Sequence, residues 1–204
     1  MNVFDFAAKV DQDIESLTDD DYRLRRGRAK ALLEELLPIS RLALSLKTPG
    51  LAVDVVGHEN DGPVDGHIKV LGYRDEEFDV EVTCTHGYEE HLRAELLNRD
   101  GCCPGTGPIK RVNGEIVAEM QAEDYDAYIH NTADAVLKVF EAKNNKNYPD
   151  GTILIIAFAR LKLVGHARWQ LLLESIKEKG GFVGSKFQRI YLFNGDSCEI
   201  RRAL

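Results

Sequence analysis

The segment 151–159, with the sequence GTILIIAFA, constrains the fold of this chain more than any other stretch. Its residues 153–159 are consecutive apolar residues, without the polar alternation of a half-exposed strand. Such a run is typical of a strand covered on both faces, and it is far shorter than the roughly 20 residues that a membrane-spanning helix needs. The run therefore predicts a central strand with helices packed on both faces of its sheet.

The N-terminal part of the chain is predicted to be helical. Thr18 can cap a helix whose first turn carries three aspartates, and apolar residues then recur at helical spacing up to Pro38. A second helical segment is expected over 39–46, ending before the Pro-Gly pair that follows. A further short helix is expected over 3–14.

Three strands are predicted next, at 51–56, 64–73 and 77–85, with an Asn-Asp-Gly-Pro turn at 60–63. The third strand alternates between apolar and polar residues, which places alternate side chains on opposite faces. One face carries Phe78, Val80, Val82 and Cys84, and the other carries Glu77, Asp79, Glu81 and Thr83.

The rest of the chain alternates between helices and strands. Helices are predicted over 88–98, from 122 to about 147, and over 169–176; strands are predicted in a hairpin over 109–120 and then at 151–159, 187–193 and 198–203. No internal repeat is visible. The element order predicts one α/β domain over 1–204, with a mixed central sheet flanked by helices on both faces and N-terminal helices, 1–48, packed on the core.

Composition narrows the classes of function. The formal net charge of −8 and the pI of about 5.3 argue against a protein that coats nucleic acid through bulk electrostatics. The four cysteines have no disulfide-framework spacing, and the N-terminus has no basic region followed by an apolar run. We therefore expect a cytoplasmic protein with no membrane partner.

A pair of acidic residues is the most informative feature for chemistry. Asp65 lies in the sequence Pro-Val-Asp-Gly, and Glu81 opens the sequence Glu-Val-Thr sixteen residues later. Adjacent strands can bring two such carboxylates together, and carboxylate oxygens are the ligands that Mg²⁺ prefers. Asp79 is a third candidate ligand, and Glu34 or Glu35 on the preceding helix is a fourth.

This arrangement resembles the PD-(D/E)xK nuclease superfamily, which has the restriction-endonuclease-like fold. Asp65 matches the first acid of the family motif, Glu81 the second, and Glu35 or Glu34 the acid on the preceding helix. The resemblance covers roughly residues 20–195 in element order and includes the helix that precedes the apolar strand. It implies that Mg²⁺ or Mn²⁺, held by Asp65, Glu81 and Asp79, cleaves phosphodiesters of nucleic acid, with DNA as the expected substrate.

The chain departs from the family at the motif lysine, because Thr83 stands in that position. Threonine cannot supply a cation, so Thr83 is expected to position water. The four candidates for a substitute cation are Lys69, His86, Arg93 and Lys143. In an alternative register, Asp79-Val80-Glu81 would place a glutamate in the lysine position.

Two other groups of residues each have a functional interpretation and a simpler structural one. Candidate zinc ligands are Cys84, His86, His91, Cys102 and Cys103, although no Cys-x-x-Cys pair is present and Cys84 lies on the apolar strand face. A basic run consists of Arg23, Arg25, Arg26, Arg28 and Lys30; on one helix, positions 23, 26 and 30 would share a face able to meet phosphates. The simpler interpretation is a solvated helix face, balanced by the aspartates before it.

Three hypotheses of function follow. The first is a metal-dependent nuclease that uses Asp65, Glu81, Thr83 and Glu35. The second is a catalytically inactive protein of the same fold that serves as a binding or assembly module, which the missing lysine and the acidic net charge favour. The third is an unrelated α/β protein whose acidic strand is accidental. An exposed edge at the last hairpin would also suit a homodimer.

Overall fold

A computed structural model describes residues 1–59, 62–122, 124–159, 163 and 165–204. The helices are α1 (Val3–Glu15), α2 (Asp19–Leu24), α3 (Arg28–Ala31), a π-helical turn (Leu32–Leu36), α4 (Leu37–Leu46), α5 (Tyr88–Asp100), α6 (Tyr125–Asn144) and α7 (His166–Glu178). The strands are β1 (Leu51–Gly57), β2 (Gly66–Gly72), β3 (Glu76–Cys84), β4 (Ile109–Val112), β5 (Glu115–Ala118), β6 (Ile153–Phe158), β7 (Arg189–Asn194) and β8 (Glu199–Arg202). Asn60 and Asp61, the first half of the predicted turn, lie outside the described residues.

The central sheet has six strands in the order β1-β2-β3-β6-β7-β8. β1, β2 and β3 form an antiparallel meander, β3, β6 and β7 run parallel, and β8 returns antiparallel to β7. The predicted mixed α/β sheet is therefore confirmed. β4 and β5 form a separate two-stranded sheet.

Two hydrophobic clusters cover the central sheet, one on each face. Ile153, Ile155 and Ala157 of β6 belong to the cluster that includes α1 and α4. Leu154, Ile156 and Phe158 of the same strand belong to the cluster that includes α6 and α7. Every residue of β6 is buried, so the prediction of a strand covered on both faces is confirmed. None of the described helices combines the length and apolarity that crossing a membrane requires.

The prediction of one continuous helix from Thr18 to Pro38 was wrong. Thr18 does cap α2, accepting the Asp21 backbone N–H, but α2 ends at Leu24. Arg25 has a φ of 52° and the left-handed conformation that terminates a helix, and Gly27, also with a φ of 52°, precedes the start of α3. The basic run is therefore split between α2 and α3, and its members do not share one helix face.

Pro38 does not end the helical segment that precedes it, contrary to the sequence prediction. It lies in the first turn of α4, directly after the π-helical turn. Proline has no N–H to donate to the residue 34 carbonyl, and its ring would clash with that carbonyl in an α-helix. The wider turn, in which the Leu37 N–H bonds to the Leu32 carbonyl, relieves the clash. The Glu34 carbonyl instead accepts from the Cys84 thiol, with an Sγ–O distance of 3.7 Å.

Residues 85–122 form an excursion between β3 and α6. It consists of α5 and the β4–β5 hairpin, which share a small cluster of Leu92, Leu96, Ile109 and Ile116. The side chain of Asn98 on α5 bonds to Arg23 (3.2 Å) and to Asp20 (2.7 Å) of α2. The excursion is thereby attached to the N-terminal helices beside the end of β3.

The two edges of the sheet differ. The N-terminal residues lie along β1, where the Val55 N–H donates to the Met1 carbonyl at 2.8 Å and Asn2 bridges to Asp54. At the other edge β8 has four residues, of which Arg201 and Arg202 are exposed. Charged side chains on a short edge strand disfavour pairing with another strand. The homodimer through this hairpin stays a prediction.

We expect Gly66→Ala to destabilise the protein, because Gly66 is the first residue of β2 and is tightly enclosed. An added Cβ would lie 2.9 Å from the Val56 carbonyl oxygen and 2.9 Å from Ile39 Cδ1. Overpacking of this kind costs about 1–3 kcal/mol. Urea unfolding measures the change, and Gly105→Ala, where a Cβ meets nothing within 4 Å, is the matched control. Equal stability of the two variants would contradict this packing.

Candidate functional site

The site forms where β3 extends beyond the start of β2. The last pair in that ladder is Gly66 with Val80, whereas β3 continues alongside β6 as far as Cys84. The Val82 N–H therefore meets a side chain, donating to Asp65 Oδ2 at 2.7 Å. The Asp65 N–H in turn donates to the Val80 carbonyl at 2.9 Å. Asp65 is thus fixed at the edge of β3 by its backbone and by its carboxylate.

Glu81 lies within one residue of these contacts and is buried, with 7% of its surface exposed. Its Oε1 accepts a short hydrogen bond from the ammonium of Lys143 near the end of α6. The same oxygen accepts from the Tyr148 hydroxyl at 3.1 Å. Alternation in β3 predicts the face of Glu81 correctly, but α6 covers that face, so Glu81 does not belong to a solvated surface.

Glu35, rather than Glu34, is the helix carboxylate that faces the pair. Glu34 Oε1 lies 4.0 Å from Arg25 Nε. Glu35 is half-buried, and its charge is coupled to those of Asp65 and Glu81. Glu35 comes from the helical layer on one face of the sheet and Glu81 points to the other face. The charge of Glu81 nevertheless acts on Glu35, at an edge of β3 that no described strand occupies beyond Val80.

The electrostatics of the site are determined by several neighbouring carboxylates that are partly shielded from water. Burial, and after it the charge of Asp65, raise the pKa of Glu35 to about 7, with smaller contributions from Glu34 and Glu81 and a lowering by Lys30. Burial also raises the pKa of Asp65, against the Val82 hydrogen bond that lowers it. Glu81 raises the Asp65 pKa and Lys143 lowers it. Burial and the neighbouring Glu81 raise the pKa of the Tyr148 phenol as well.

Asp79 and Thr83 share the strand face of Glu81 but lie two residues before and after it. The Asp79 carboxylate bonds to His67 Nδ1 at 3.0 Å, and His67 Nε2 bonds to Glu77 at 2.9 Å. At about 3.3 Å per residue, Asp79 is roughly 7 Å along the strand from Glu81. Its role as a metal ligand therefore has less support than those of Asp65 and Glu81. Thr83 is half-buried opposite Ile156 of β6.

Of the four candidate cations, Lys143 is the one that the fold places on Glu81. Lys69 lies 3.7 Å from Glu77, and the Arg93 guanidinium donates to the carbonyls of Pro104 and Gly107. His86 lines a neighbouring cavity. Sequence reasoning did not single out Tyr148 at all. A signal for Lys143 exists, since it continues the helical stripe of Val136 and Phe140 into the core side of α6.

The donor set suits Mg²⁺ in part. Within the described residues, Glu81 Oε2 and Asp65 Oδ1 accept no hydrogen bond, whereas Glu81 Oε1 and Asp65 Oδ2 are engaged. The same ranges contain no cluster of three or more histidine, cysteine or acidic side chains arranged to enclose a metal. Mg²⁺ is commonly held by one or two carboxylates, waters and substrate phosphates, so two free oxygens meet its needs.

The structure does not favour a zinc site formed by the candidate ligands. Burial raises the pKa of the Cys84 thiol to about 12, and nearby Glu34 acts in the same direction. A thiol must lose its proton to bind zinc, so this environment disfavours coordination by Cys84. Cys102 is exposed, and the Cys103 thiol points to the Pro104 carbonyl.

A cavity of about 700 Å³ opens beside the acidic residues. One wall comes from the core, including Arg25, Lys30 and Cys84, and the other comes from the excursion, including His91 and Arg93. Glu34, the chain neighbour of Glu35, and Cys84, three residues after Glu81 on β3, both line this cavity, which places it near the carboxylates.

Comparisons of the chain with protein-family models, with curated proteins and with solved structures gave no match.

The raised pKa of Glu35 predicts a specific dependence of stability on pH. The folded protein binds the Glu35 proton up to about pH 7, whereas the ordinary glutamate value, 4.5, applies to the unfolded chain. The free energy of unfolding therefore falls as pH rises between those values. We expect Glu35→Gln, measured without divalent cations, to raise Tm at pH 8 by roughly 2–4 °C for each kcal/mol gained, and not at pH 4.

Glu34→Gln is the control for that measurement, because its carboxylate faces Arg25 and its loss brings no comparable relief. Thermal unfolding followed by circular dichroism at both pH values gives the comparison. A Glu35→Gln variant less stable than the wild type at pH 8 would contradict the crowding of carboxylates.

Proposed function

We propose that this protein is a metal-dependent nuclease related to the PD-(D/E)xK type, in which Lys143 on α6 supplies the cation that Thr83 cannot. One observation carries the proposal. The Lys143 ammonium bonds directly to buried Glu81, one residue from the backbone group that holds Asp65. The chain thus assembles two acids and one amine at a strand edge from three separate segments.

Asp65 and Glu81 are the residues that would hold Mg²⁺ or Mn²⁺, through Oδ1 and Oε2. When bound, such an ion offsets negative charge on a phosphodiester and lowers the pKa of a coordinated water. Each carboxylate is oriented by its other oxygen: Val82 fixes Asp65, while Lys143 and Tyr148 fix Glu81. Ligands positioned in this way need little rearrangement during catalysis.

Lys143 has two roles in this proposal. It compensates the charge of Glu81 in a site where water is scarce, and it places an ammonium beside the position of the reacting phosphate. A preorganised cation stabilises charge that develops on the phosphoryl oxygens. Tyr148 keeps the Glu81 carboxylate in place and, with its raised pKa, stays protonated as a hydrogen-bond donor.

Glu35 is suited to proton transfer. A carboxyl group with a pKa of about 7 exists in both protonation states near neutral pH, which is the condition for an efficient general base. Its chain neighbour Glu34 lines the cavity, and so does Lys30, whose charge acts on Glu35. In this role Glu35 accepts a proton from the attacking water, and Lys30 favours its ionised form.

The inactive binding module is the alternative, and the same ion pair gives it support. A buried glutamate closed by a lysine and a tyrosine can also be a purely structural link between β3 and α6. The two hypotheses differ in the fate of the free oxygens, because only the nuclease uses Asp65 Oδ1 and Glu81 Oε2. Metal binding and cleavage decide between them.

We expect Lys143→Met to lower the rate of metal-dependent cleavage by about 10²–10³-fold, the effect of removing one preorganised electrostatic group. The assay incubates the full chain and Mn²⁺ or Mg²⁺ with labelled single-stranded and duplex DNA and RNA. Lys146→Met, an exposed lysine three residues away, is the matched control and should retain the wild-type rate.

Calorimetric titration with Mn²⁺ supplies the second readout. Glu81→Gln should lose binding, while Lys143→Met should retain it because Lys143 is not a ligand. Absence of both cleavage and Mn²⁺ binding in the wild-type protein would overturn the nuclease proposal and favour the binding module.

A further inference from the structure

The cavity between the core and the excursion has a charge that contrasts with the rest of the chain. Its walls carry four arginine or lysine side chains and three carboxylates, on a protein whose net charge is −8. The carboxylates are already engaged in part, since Glu90 accepts the Gly87 N–H at 2.8 Å and Glu34 faces Arg25. By formal charge the basic side chains of the lining exceed the carboxylates by one, which suits an anionic ligand.

Arg25 lines the cavity with an unfavourable backbone conformation and an unsatisfied side-chain donor. Its backbone has a φ of 52°, in the left-handed region that is unfavourable for a residue other than glycine. Its Nη1 is buried and has no hydrogen-bond partner within the described residues. Backbone strain and an unsatisfied donor in one residue commonly mark a position kept for binding. The missing partner of Nη1 is an acceptor, such as a phosphate oxygen.

Arg93 adds a second charge of the same kind from the opposite wall. The residue is buried, with 5% of its surface exposed, and its guanidinium bonds to two backbone carbonyls. Both of its described hydrogen bonds thus go to neutral carbonyl groups and not to a carboxylate. Buried charges are normally paired, so Arg93 also leaves a positive field to be neutralised by a ligand.

The cavity also offers a stacking surface. The Tyr22 ring is 46% exposed and lines the cavity, and the Arg25 guanidinium carbon lies 5.5 Å from its ring centroid. An aromatic ring beside basic groups is the combination that binds unpaired bases.

We propose that this cavity binds a single strand of nucleic acid and leads it to the acidic residues. The inference rests on the proposed nuclease function and names its substrate class. The volume of about 700 Å³ falls in the range of roughly 300–1,000 Å³ typical of clefts for small ligands, which suits one or two nucleotides. The bonds of Asn98 to Arg23 and Asp20 join the two walls, so a duplex could enter only if they separated.

The test measures binding without cleavage. Fluorescence anisotropy of a labelled oligothymidylate of about 10 nucleotides is recorded with the full chain in EDTA at low salt. The single strand is expected to bind at least tenfold more tightly than a duplex of the same length. Arg25→Gln is expected to weaken single-strand binding about tenfold, the effect of losing one charge-assisted contact.

Arg26→Gln is the matched control, since it removes the same charge from an exposed neighbour outside the cavity wall. It should leave the affinity within twofold of the wild type. If Arg25→Gln does not fold by circular dichroism, Lys30→Gln on the same wall replaces it, with the same expected loss.

Three results would overturn this assignment: no binding of the single strand, equal binding of the duplex, or equal effects of the Arg25 and Arg26 substitutions. Each is separable from failure of the nuclease proposal. Mn²⁺ binding with duplex cleavage, but without single-strand binding, rejects only the cavity assignment. Single-strand binding without metal binding or cleavage rejects only the nuclease.

Discussion

The hydrogen bond from the Val82 N–H to the Asp65 carboxylate is the interaction on which the rest of the site depends. It forms because β2 begins at Gly66, while β3 continues for four more residues beside β6. The free edge of β3 gives access to groups from both faces of the sheet. Glu35 reaches it from the helices on one face, and Lys143 reaches Glu81 from α6 on the other.

This arrangement is energetically unfavourable, as the pKa values and contacts of its residues indicate. Burial and mutual repulsion raise the pKa values of Glu35 and Asp65, and a lysine and a tyrosine are needed to hold Glu81. Shifted pKa values of this kind concentrate at functional sites, although structural ion pairs produce them too. The adjoining cavity, with its unsatisfied Arg25, extends the same pattern.

Much of the fold could be predicted because buried positions give the sequence a recognisable pattern of apolar residues. The apolar run at 151–159 identified the central strand, and alternation in 77–85 assigned the face of each residue of β3. The break at Arg25 could not be predicted, since it depends on a left-handed conformation that arginine rarely adopts. Continuation through Pro38 required a π-helical turn, which no short sequence pattern specifies.

The candidate site was predictable to the extent that its residues lie on regular elements. Asp65 and Glu81 could be predicted because they lie on or beside neighbouring strands. Which of Glu34 and Glu35 faces the site could not, because it depends on how a distorted helix is rotated about its axis. Lys143 and Tyr148 are more than sixty residues from Glu81 in sequence, and only packing of α6 on the sheet brings them together. The cavity likewise depends on how the excursion attaches to α2, for which the sequence carries no local signal.

A crystal structure of the protein soaked in Mn²⁺ tests the central claim most directly. If Asp65 and Glu81 bind the metal, we expect an anomalous difference peak about 2.1 Å from both Asp65 Oδ1 and Glu81 Oε2, with Lys143 and Tyr148 still bonded to Glu81 Oε1. A map without such a peak, at a Mn²⁺ concentration that occupies other acidic sites, would contradict it. The bond between Glu81 and Lys143 would then be a structural ion pair.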